Sequence, residues 1–203
     1  MPELILASSS LGRKKLLTYL KVPFKIIQSN LDEDKIIGKS PLETIRLRAK
    51  LKGEKVAKII LSSTNYKLPT TNYIIISADS DAILENEVIG KAKNKKEGIK
   101  ILQKLSAKTH LFATSVYIIK IDTKISKNIQ IIHESTTKSF VTFRKIEREE
   151  IEYYLDKTDF TRFAGSYALV SAQDFITKVE GSLSNVIGLP LEVIIPVFKS
   201  LGI

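Results

Sequence analysis

The sequence predicts a mixed α/β fold, in which a twisted sheet is flanked by helices and two lobes border a central cleft. Short apolar segments alternate with amphipathic ones in the first half of the chain, as strands alternate with helices in α/β proteins. After residue 108, two long strand-like segments at residues 109–121 and 129–143 predict an antiparallel pair. The 203 residues are 43% hydrophobic and show no repeat or linker, so one domain is expected over residues 1–203.

The elements of the first half follow from apolar spacing and helix-start signals. Residues 4–7 predict a short strand, and residues 11–20 predict a helix with one apolar face. A second strand is expected at residues 24–28. Ser40 and Pro41 open a helix that reaches about residue 61, because a serine cap followed by proline is a common helix start.

The second half begins with a central strand. Residues 73–78 are almost continuously apolar, which is typical of a strand buried on both faces. A hairpin is expected to follow at residues 83–89, with its turn at Glu85 and Asn86. The remaining expected elements are helices at residues 94–105, 147–155 and 190–198 and a strand at residues 175–179.

Residue counts exclude several kinds of catalytic chemistry. The chain has no cysteine, so it has no disulfide and no thiol nucleophile, and its two histidines, His110 and His133, are too few for a three-histidine metal site. No G-x-S-x-G sequence marks a serine hydrolase. Acid–base catalysis is therefore expected from Asp, Glu and Lys. The lack of cysteine, of a signal-peptide pattern and of an apolar run of about 20 residues predicts a cytoplasmic protein.

The net charge of +10, from 32 basic and 22 acidic residues, indicates either an anionic partner or a lysine-rich solvated surface. Nucleotides, nucleic acids and membrane surfaces are the anionic candidates. The lysines are scattered, and the chain has no arginine-rich tail and no basic stripe interleaved with aromatic residues. This pattern disfavours nucleic acid.

Two helix starts bear on phosphate binding. Residues 38–40 resemble the end of a P-loop, but Glu33 occupies the required upstream glycine position, so Ser40 is better explained as a helix cap. Ser8, Ser10 and Arg13 lie where a strand leads into a helix, and backbone N–H groups, hydroxyls and a guanidinium there favour an anion. An ordinary serine cap beside a solvated arginine explains these residues equally well.

Two groups of acidic residues are candidates for the chemistry. Asp79 follows the most apolar strand, where a carboxylate needs a cleft, a cation or the N–H groups of a turn. Ser80 and Asp81 extend this polar cluster, which favours a functional site over a turn. Residues 32–34 form an acidic loop whose carboxylates suit Mg²⁺ or Mn²⁺, although such loops are usually only solvated.

Short motifs from the first strand to the last helix form one ordered set. They are residues 4–10 with Arg13, Leu16 and Leu17; Asp32 and Glu33; Ala49 and Lys52; Ala78 and Asp79; Gly90 and Lys91; Leu105, Ser106, Thr109, His110 and Thr114; Ala164 and Gly165; Glu180 and Gly181; and residues 185–190. Together they resemble the septum-formation (Maf) family of nucleotide pyrophosphatases. Each motif alone has little specificity, whereas the set covers nearly the whole chain.

The chain departs from the family pattern at several motif positions. The departures are Leu11-Gly12 for Pro-Arg, Ser80 for threonine, Ala92 for proline, Ala107 for glycine, Val170 for glutamine and Ser171 for glycine. The family uses its arginine, threonine and glutamine positions to choose among nucleobases. The resemblance therefore supports phosphate chemistry more strongly than any base preference.

The resemblance implies that the chain hydrolyses a ribo- or deoxyribonucleoside triphosphate to the monophosphate and pyrophosphate, including the removal of non-standard or modified nucleotides. It implies that Glu33 and Asp79 bind a divalent metal, Mg²⁺ or Mn²⁺, and that Asp79 is the general base. Ser80 is expected near the nucleobase or sugar. The expected partner is the nucleotide, without membrane or stable nucleic acid, and a homodimer is compatible with the family. The residues expected to hold the phosphates in the same cleft are Ser8, Ser10, Arg13, Lys52 and Lys91.

Two other functions stay open at the level of sequence. A phosphatase of the haloacid-dehalogenase type would use Asp79 as nucleophile and Asp81 as acid, whereas Asp81 is dispensable in the pyrophosphatase interpretation. A basic domain that only binds nucleotides or nucleic acid would release no product. His110 and Thr114 are expected to have structural roles, and Asn185 is expected to shape the wall of the cleft.

Overall fold

The structure, a computed structural model, describes residues 2–62, 72–122 and 129–203. The strands are β1 (Glu3–Leu6), β2 (Phe24–Ile26), β3 (Asn72–Leu84), β4 (Glu87–Val88), β5 (Thr109–Asp122), β6 (Ile129–Phe143) and β7 (Ile176–Glu180). The helices are α1 (Leu11–Tyr19), α2 (Pro41–Ser62), α3 (Lys95–Leu105), α4 (Arg148–Lys157), α5 (Leu183–Ile187) and α6 (Leu191–Leu201). No helix in these described ranges is long and apolar enough to cross a membrane.

The strands form one mixed sheet in the order β2-β1-β3-β5-β6-β7, and β4 pairs with β3. Strand β1 is parallel to both β2 and β3, whereas β3–β4 and β6–β7 are antiparallel. Thr109 bonds Thr142 while Ser115 bonds Thr136, so β5 and β6 run in opposite directions. The predicted mixed α/β fold with a long antiparallel pair is therefore confirmed.

Side-chain caps explain where several helices begin. The hydroxyl of Ser10 accepts a hydrogen bond from the backbone N–H of Arg13 at the start of α1, and Asn94 accepts one from Glu97 at the start of α3. The hydroxyl of Ser40 accepts the backbone N–H of Glu43 at 3.2 Å. Ser40 is thus a helix cap, as the sequence predicts, because its oxygen satisfies an N–H group that has no partner within the helix.

The chain divides into two compact units. The first unit contains residues 1–79, 115–136 and 191–203, and the second contains residues 80–114 and 137–190. Each unit has its own buried apolar cluster: one includes Ile5, Val56 and Ile75, and the other includes Leu102, Phe143 and Phe175. The expectation of one domain over residues 1–203 stays a prediction.

Two elements differ from the sequence-based expectation. Strand β3 does not end before Asp79 but continues to Leu84, so Asp79 lies inside a strand rather than in a turn. Helix α5 was not predicted, because five residues are too few to show an apolar period. The hairpin after β3 turns at Glu85 and Asn86 as expected, and both residues have positive φ, as tight hairpin turns require.

Candidate active site

The strand-to-helix connection after β1 forms the first part of the site. The hydroxyl of Ser8 accepts hydrogen bonds from the backbone N–H of Ser10 and from Nη1 of Arg13, both at 3.1 Å. The first turn of α1 has no acidic residue, and Arg13 is only 8% exposed. A buried guanidinium beside two serine hydroxyls at a helix N-terminus suits an anion, and the solvated arginine considered from the sequence is excluded.

Asp79 lies on β3 beyond the end of β1. The parallel pairing of these strands ends at Leu6 opposite Ile76, and the backbone N–H of Ala7 then donates to the carbonyl of Ile76 at 2.8 Å. Asp79 follows three residues after Ile76, beside the turn that contains Ser8. The site therefore occupies the carboxyl end of a parallel strand pair, where ligands commonly bind in α/β proteins.

A lysine from α2 joins the two predicted acidic ligands. Nζ of Lys52 lies 2.6 Å from Oδ1 of Asp79 and 2.6 Å from Oε2 of Glu33. Lys52 and Asp79 are almost completely buried, whereas more than a third of the Glu33 side chain is exposed. The acidic loop thus supplies one inward carboxylate, from Glu33, which the sequence could not distinguish from its neighbours Asp32 and Asp34.

The electrostatics of this cluster favour a general base. Burial raises the pKa of Asp79 above that of an ordinary aspartate, although the positive charges of Lys52 and Arg13 act in the opposite direction. Burial also lowers the pKa of Arg13, while Asp79 and Glu33 oppose that change. A carboxylate with a raised pKa accepts a proton more readily near neutral pH, so Asp79 has the property that a base needs.

The two carboxylates suit a hard divalent cation whose remaining ligands are phosphate oxygens of the substrate and water. Because one ammonium nitrogen contacts both, the facing oxygens of Glu33 and Asp79 lie within about 5 Å of each other. The described residues contain no group of three or more His, Cys, Asp or Glu side chains that would form a metal cage. Mg²⁺ typically uses one or two carboxylates and completes its shell with water and phosphate oxygens, so this donor set fits it.

Ser80 and Lys91 belong to the second unit. Oγ1 of Thr114 lies 2.9 Å from Oγ of Ser80 and 2.9 Å from the carbonyl oxygen of Asn185. Lys91 is exposed and its backbone forms an isolated antiparallel bridge with Ala164. The predicted binding roles of Ser80 and Lys91 stay predictions.

Asp81 supports the backbone of the second unit. It is 4% exposed, and its Oδ1 accepts hydrogen bonds from the backbone N–H groups of Ala82 and Gly90, at 2.9 and 3.0 Å. Gly90 has a positive φ of 68°, and its carbonyl accepts the N–H of Gly165 at 2.7 Å. A carboxylate so engaged with backbone donors is not placed as the acid of a phosphatase, which weakens that alternative.

His110 and Asn185 both have buried polar partners. Nε2 of His110 lies 2.8 Å from the hydroxyl of Tyr167, while Nδ1 of His110 has no hydrogen-bond partner. Nδ2 of Asn185 donates to the carbonyl of Phe112 and to the hydroxyl of Ser139. The bond of His110 connects β5 to the segment that contains Tyr167, in line with a structural role, and the bonds of Asn185 connect α5 to β5 and β6. The expected role of Asn185 in the wall of the cleft stays a prediction.

The segment with the two departures near residue 170 is attached to α4. The hydroxyl of Tyr154 accepts the backbone N–H of Ala168 at 3.2 Å and bonds the hydroxyl of Ser171 at 3.0 Å. Val170, between them, is 66% exposed. Ser171 therefore supplies a bond that glycine would not, while Val170 presents an apolar side chain to solvent.

The structure thus brings together Ser8, Arg13, Glu33, Lys52 and Asp79 in the first unit, and Ser10 caps the helix beside them. Sequence reasoning missed two residues under this cluster, Gly53 and Ser77. A glycine inside an otherwise regular helix was the signal that could have identified the first, since it often marks close packing.

The chain is similar to several known proteins. The sequence model of the family described as "Maf-like protein" matches residues 3–201. A "dTTP/UTP pyrophosphatase" from Pyrococcus furiosus is 36% identical over 202 residues, which cover 98% of this chain and 95% of that protein. One from Dictyoglomus thermophilum is 34% identical over 191 residues, 93% and 91% of the two chains. The solved structure of a HAM1 protein from Coxiella burnetii has a TM-score of 0.39 at 13% identity, over 70% of this chain and 73% of that one.

Proposed function

Because the chain belongs to the Maf-like protein family, we propose that it is a cytoplasmic nucleoside triphosphate pyrophosphatase, which hydrolyses a ribo- or deoxyribonucleotide to its monophosphate and pyrophosphate. The observation that supports this most directly is the contact of Lys52 with both Glu33 and Asp79, beside the buried Arg13. Two cations and two carboxylates that lie together match the needs of phosphoryl transfer, which depends on charge neutralisation and a positioned water.

In this mechanism Asp79 acts on water and the cations act on phosphate. Asp79 accepts a proton from the water while the oxygen of the water forms a bond to phosphorus. The bond from that phosphorus to the oxygen that bridges the α- and β-phosphates then breaks. The electron pair of that bond leaves with the departing phosphate oxygen. Arg13, Lys52 and the hydroxyl of Ser8 bind the charge that develops on the phosphate oxygens, and we assign Lys91 and the helix start at Ser10 to the same substrate.

A divalent cation, Mg²⁺ or Mn²⁺, is part of the proposal. The charges of Arg13 and Lys52 are balanced by those of Glu33 and Asp79, so this cluster alone has no net charge to offset a triphosphate. Glu33 and Asp79 would hold the ion together with phosphate oxygens. When bound, it would neutralise charge on the substrate and orient the reacting groups.

The choice of nucleobase is the open part of the proposal. The names of the relatives make dTTP and UTP the first substrates to test. Val170 has no hydrogen-bonding side chain, and an apolar contact separates related ligands by only roughly 1–3 kcal/mol. We therefore propose broader selectivity than in family members with glutamine there, extending to modified nucleotides, and Val170→Gln should narrow it.

A substrate panel tests the function and the selectivity together. Canonical and modified nucleoside triphosphates are incubated with Mg²⁺ or Mn²⁺, and pyrophosphate and orthophosphate are measured separately. Metal-dependent pyrophosphate release from several triphosphates is expected. Orthophosphate as the first product would indicate a phosphatase, and no product from any triphosphate would indicate a binding protein. A sharp preference of the native chain for dTTP and UTP would contradict the argument from Val170.

A further inference from the structure

Helix α2 and strand β3 approach each other unusually closely beneath the catalytic cluster. Ser77 is fully buried on β3, and its single hydroxyl proton is within hydrogen-bond reach of two carbonyl oxygens, that of Ala49 on α2 at 2.7 Å and that of Tyr117 on β5 at 3.1 Å. Gly53 on α2 faces the same hydroxyl. A Cβ atom at Gly53 would lie 2.7 Å from Oγ of Ser77 and 3.1 Å from Cδ1 of Tyr117.

This contact adjoins both members of the central ion pair. Lys52 directly precedes Gly53 on α2, and Asp79 is two residues after Ser77 on β3, on the same face of the strand because side chains alternate. The Lys52–Asp79 distance of 2.6 Å therefore depends on how closely the helix sits on the strand at this point. A side chain at residue 53 would meet a short, hydrogen-bonded serine that has no flexible end to move aside.

We propose that Gly53 and Ser77 are positioning residues that set the distance between Lys52 and Asp79. The missing side chain of Gly53 permits the close approach, and the Ser77 hydroxyl fixes it by bonding α2 to the sheet. Neither residue touches substrate. The expected loss of activity rests on the proposed function, whereas the expected change in the Lys52–Asp79 distance does not.

The first test is kinetic and uses rescue. Gly53→Ala should lower kcat/KM by about tenfold or more, since displacements near 1 Å can have such effects. Alanine favours helix over glycine, so a weaker helix would not explain the loss. In Gly53→Ala/Ser77→Ala the nearest atom of residue 77 is Cβ, at an ordinary 3.5 Å, and only the 3.1 Å contact with the Tyr117 ring remains tight. Activity should therefore return most of the way to the level of Ser77→Ala.

A matched control is available on another helix. Gly98 on α3 is also buried, and a Cβ there would lie 3.1 Å from side-chain atoms of Leu155 and Phe160 in the second unit. Gly98→Ala should lower thermal stability by an amount comparable with Gly53→Ala but leave kcat/KM unchanged. An equal loss of activity in both variants would overturn the proposal, because the effect would then be general destabilisation.

The second test needs no substrate. The side-chain ammonium of Lys52 is buried between two carboxylates, so its NMR signal should be shifted and slow to exchange, and it is assigned by its absence in Lys52→Met. Gly53→Ala should move or broaden this signal, Ser77→Ala should move it less, and in the double variant the signal should return towards its position in Ser77→Ala. An unchanged signal in both single variants would overturn the proposal. If the native chain hydrolysed no triphosphate, the proposed function would be rejected, but the NMR test of the positioning role would still be valid.

Discussion

At the scale of one residue, burial distinguishes Arg13 from an ordinary surface arginine. Its guanidinium is nearly inaccessible, bonds Ser8 and lies within the electrostatic influence of Asp79 and Glu33. Charge-assisted contacts to phosphate contribute roughly 1.5–3 kcal/mol each. Arg13→Ala is therefore expected to reduce kcat/KM by about ten- to hundredfold, measured by pyrophosphate release at fixed metal concentration.

Arg148→Ala is the matched control for this variant. Arg148 is an exposed arginine on α4 that pairs with Glu152 one turn along the helix. Its removal should leave kcat/KM unchanged, because exposed pairs of this kind contribute little. Native kinetics in Arg13→Ala would show that the guanidinium does not contact the substrate.

Asp79 separates the pyrophosphatase mechanism from the phosphatase mechanism. Asp79→Asn should nearly abolish turnover, because an amide neither accepts the proton nor binds a divalent cation as well as a carboxylate. Substrate binding should persist, since Arg13 and Lys52 remain. A single turnover in ¹⁸O-labelled water should place the label in the monophosphate or pyrophosphate. Label in the Asp79 carboxylate, or a trapped phosphorylated Asp79, would establish the phosphatase mechanism instead.

At the scale of elements, strand β3 shows what the sequence could and could not predict. Its apolar first half was predicted from composition, and helices α2 and α3 were predicted from the residues that cap them. Its continuation through Asp79 and Asp81 was not, because buried acids in a strand are stable only with partners distant in sequence. Those partners are Lys52 for Asp79 and the N–H of Gly90 for Asp81.

The same limit applies to the candidate site. Family-like motifs identified Ser8, Arg13, Glu33, Lys52 and Asp79, which the structure places together. Periodicity and composition gave no reason to expect one lysine to contact two carboxylates. The close contact beneath it was also missed, because it depends on the packing of a helix against a strand rather than on any local pattern.

Removal of Asp81 should affect stability more than catalysis. Asp81→Ala leaves the buried N–H of Ala82 and the partly buried N–H of Gly90 without their acceptor, and a buried N–H without an acceptor destabilises by about 1–3 kcal/mol. Asp81→Asn keeps an oxygen at the same position and should destabilise less. Urea unfolding measures both, and kcat of the folded variants should change far less than in Asp79→Asn. Equal stability of native protein and Asp81→Ala would contradict the assigned role.

At the scale of the whole molecule, His110 makes stability depend on pH. Burial lowers its pKa from 6.5 to about 4, so the folded protein keeps the imidazole neutral where the unfolded chain binds a proton. This contribution is fully present above pH 6.5 and is lost as the pH falls from 6.5 towards 4. The free energy of unfolding should decrease by about 2–3 kcal/mol across that window from this residue alone.

Chemical denaturation between pH 4 and pH 8 measures this dependence. His110→Gln should reduce the dependence of the unfolding free energy on pH between pH 6.5 and pH 4. His133→Gln, which removes the other histidine, is the control and should leave this part of the dependence in place. If the difference in unfolding free energy between native protein and His110→Gln does not change with pH, protonation of the buried imidazole makes no contribution.

The division into two units has a consequence for biosynthesis. The chain passes from one unit to the other after Asp79, Thr114, Thr136 and Pro190, and the first three of these points lie inside strands. On the ribosome the second unit is complete once Pro190 has emerged. The first unit, with Asp79 and Lys52, still lacks residues 191–203 at that moment. Release of the last helix is therefore the step that completes the unit with the proposed catalytic residues, and a chain truncated after Pro190 would contain every residue of the second unit but would lack α6.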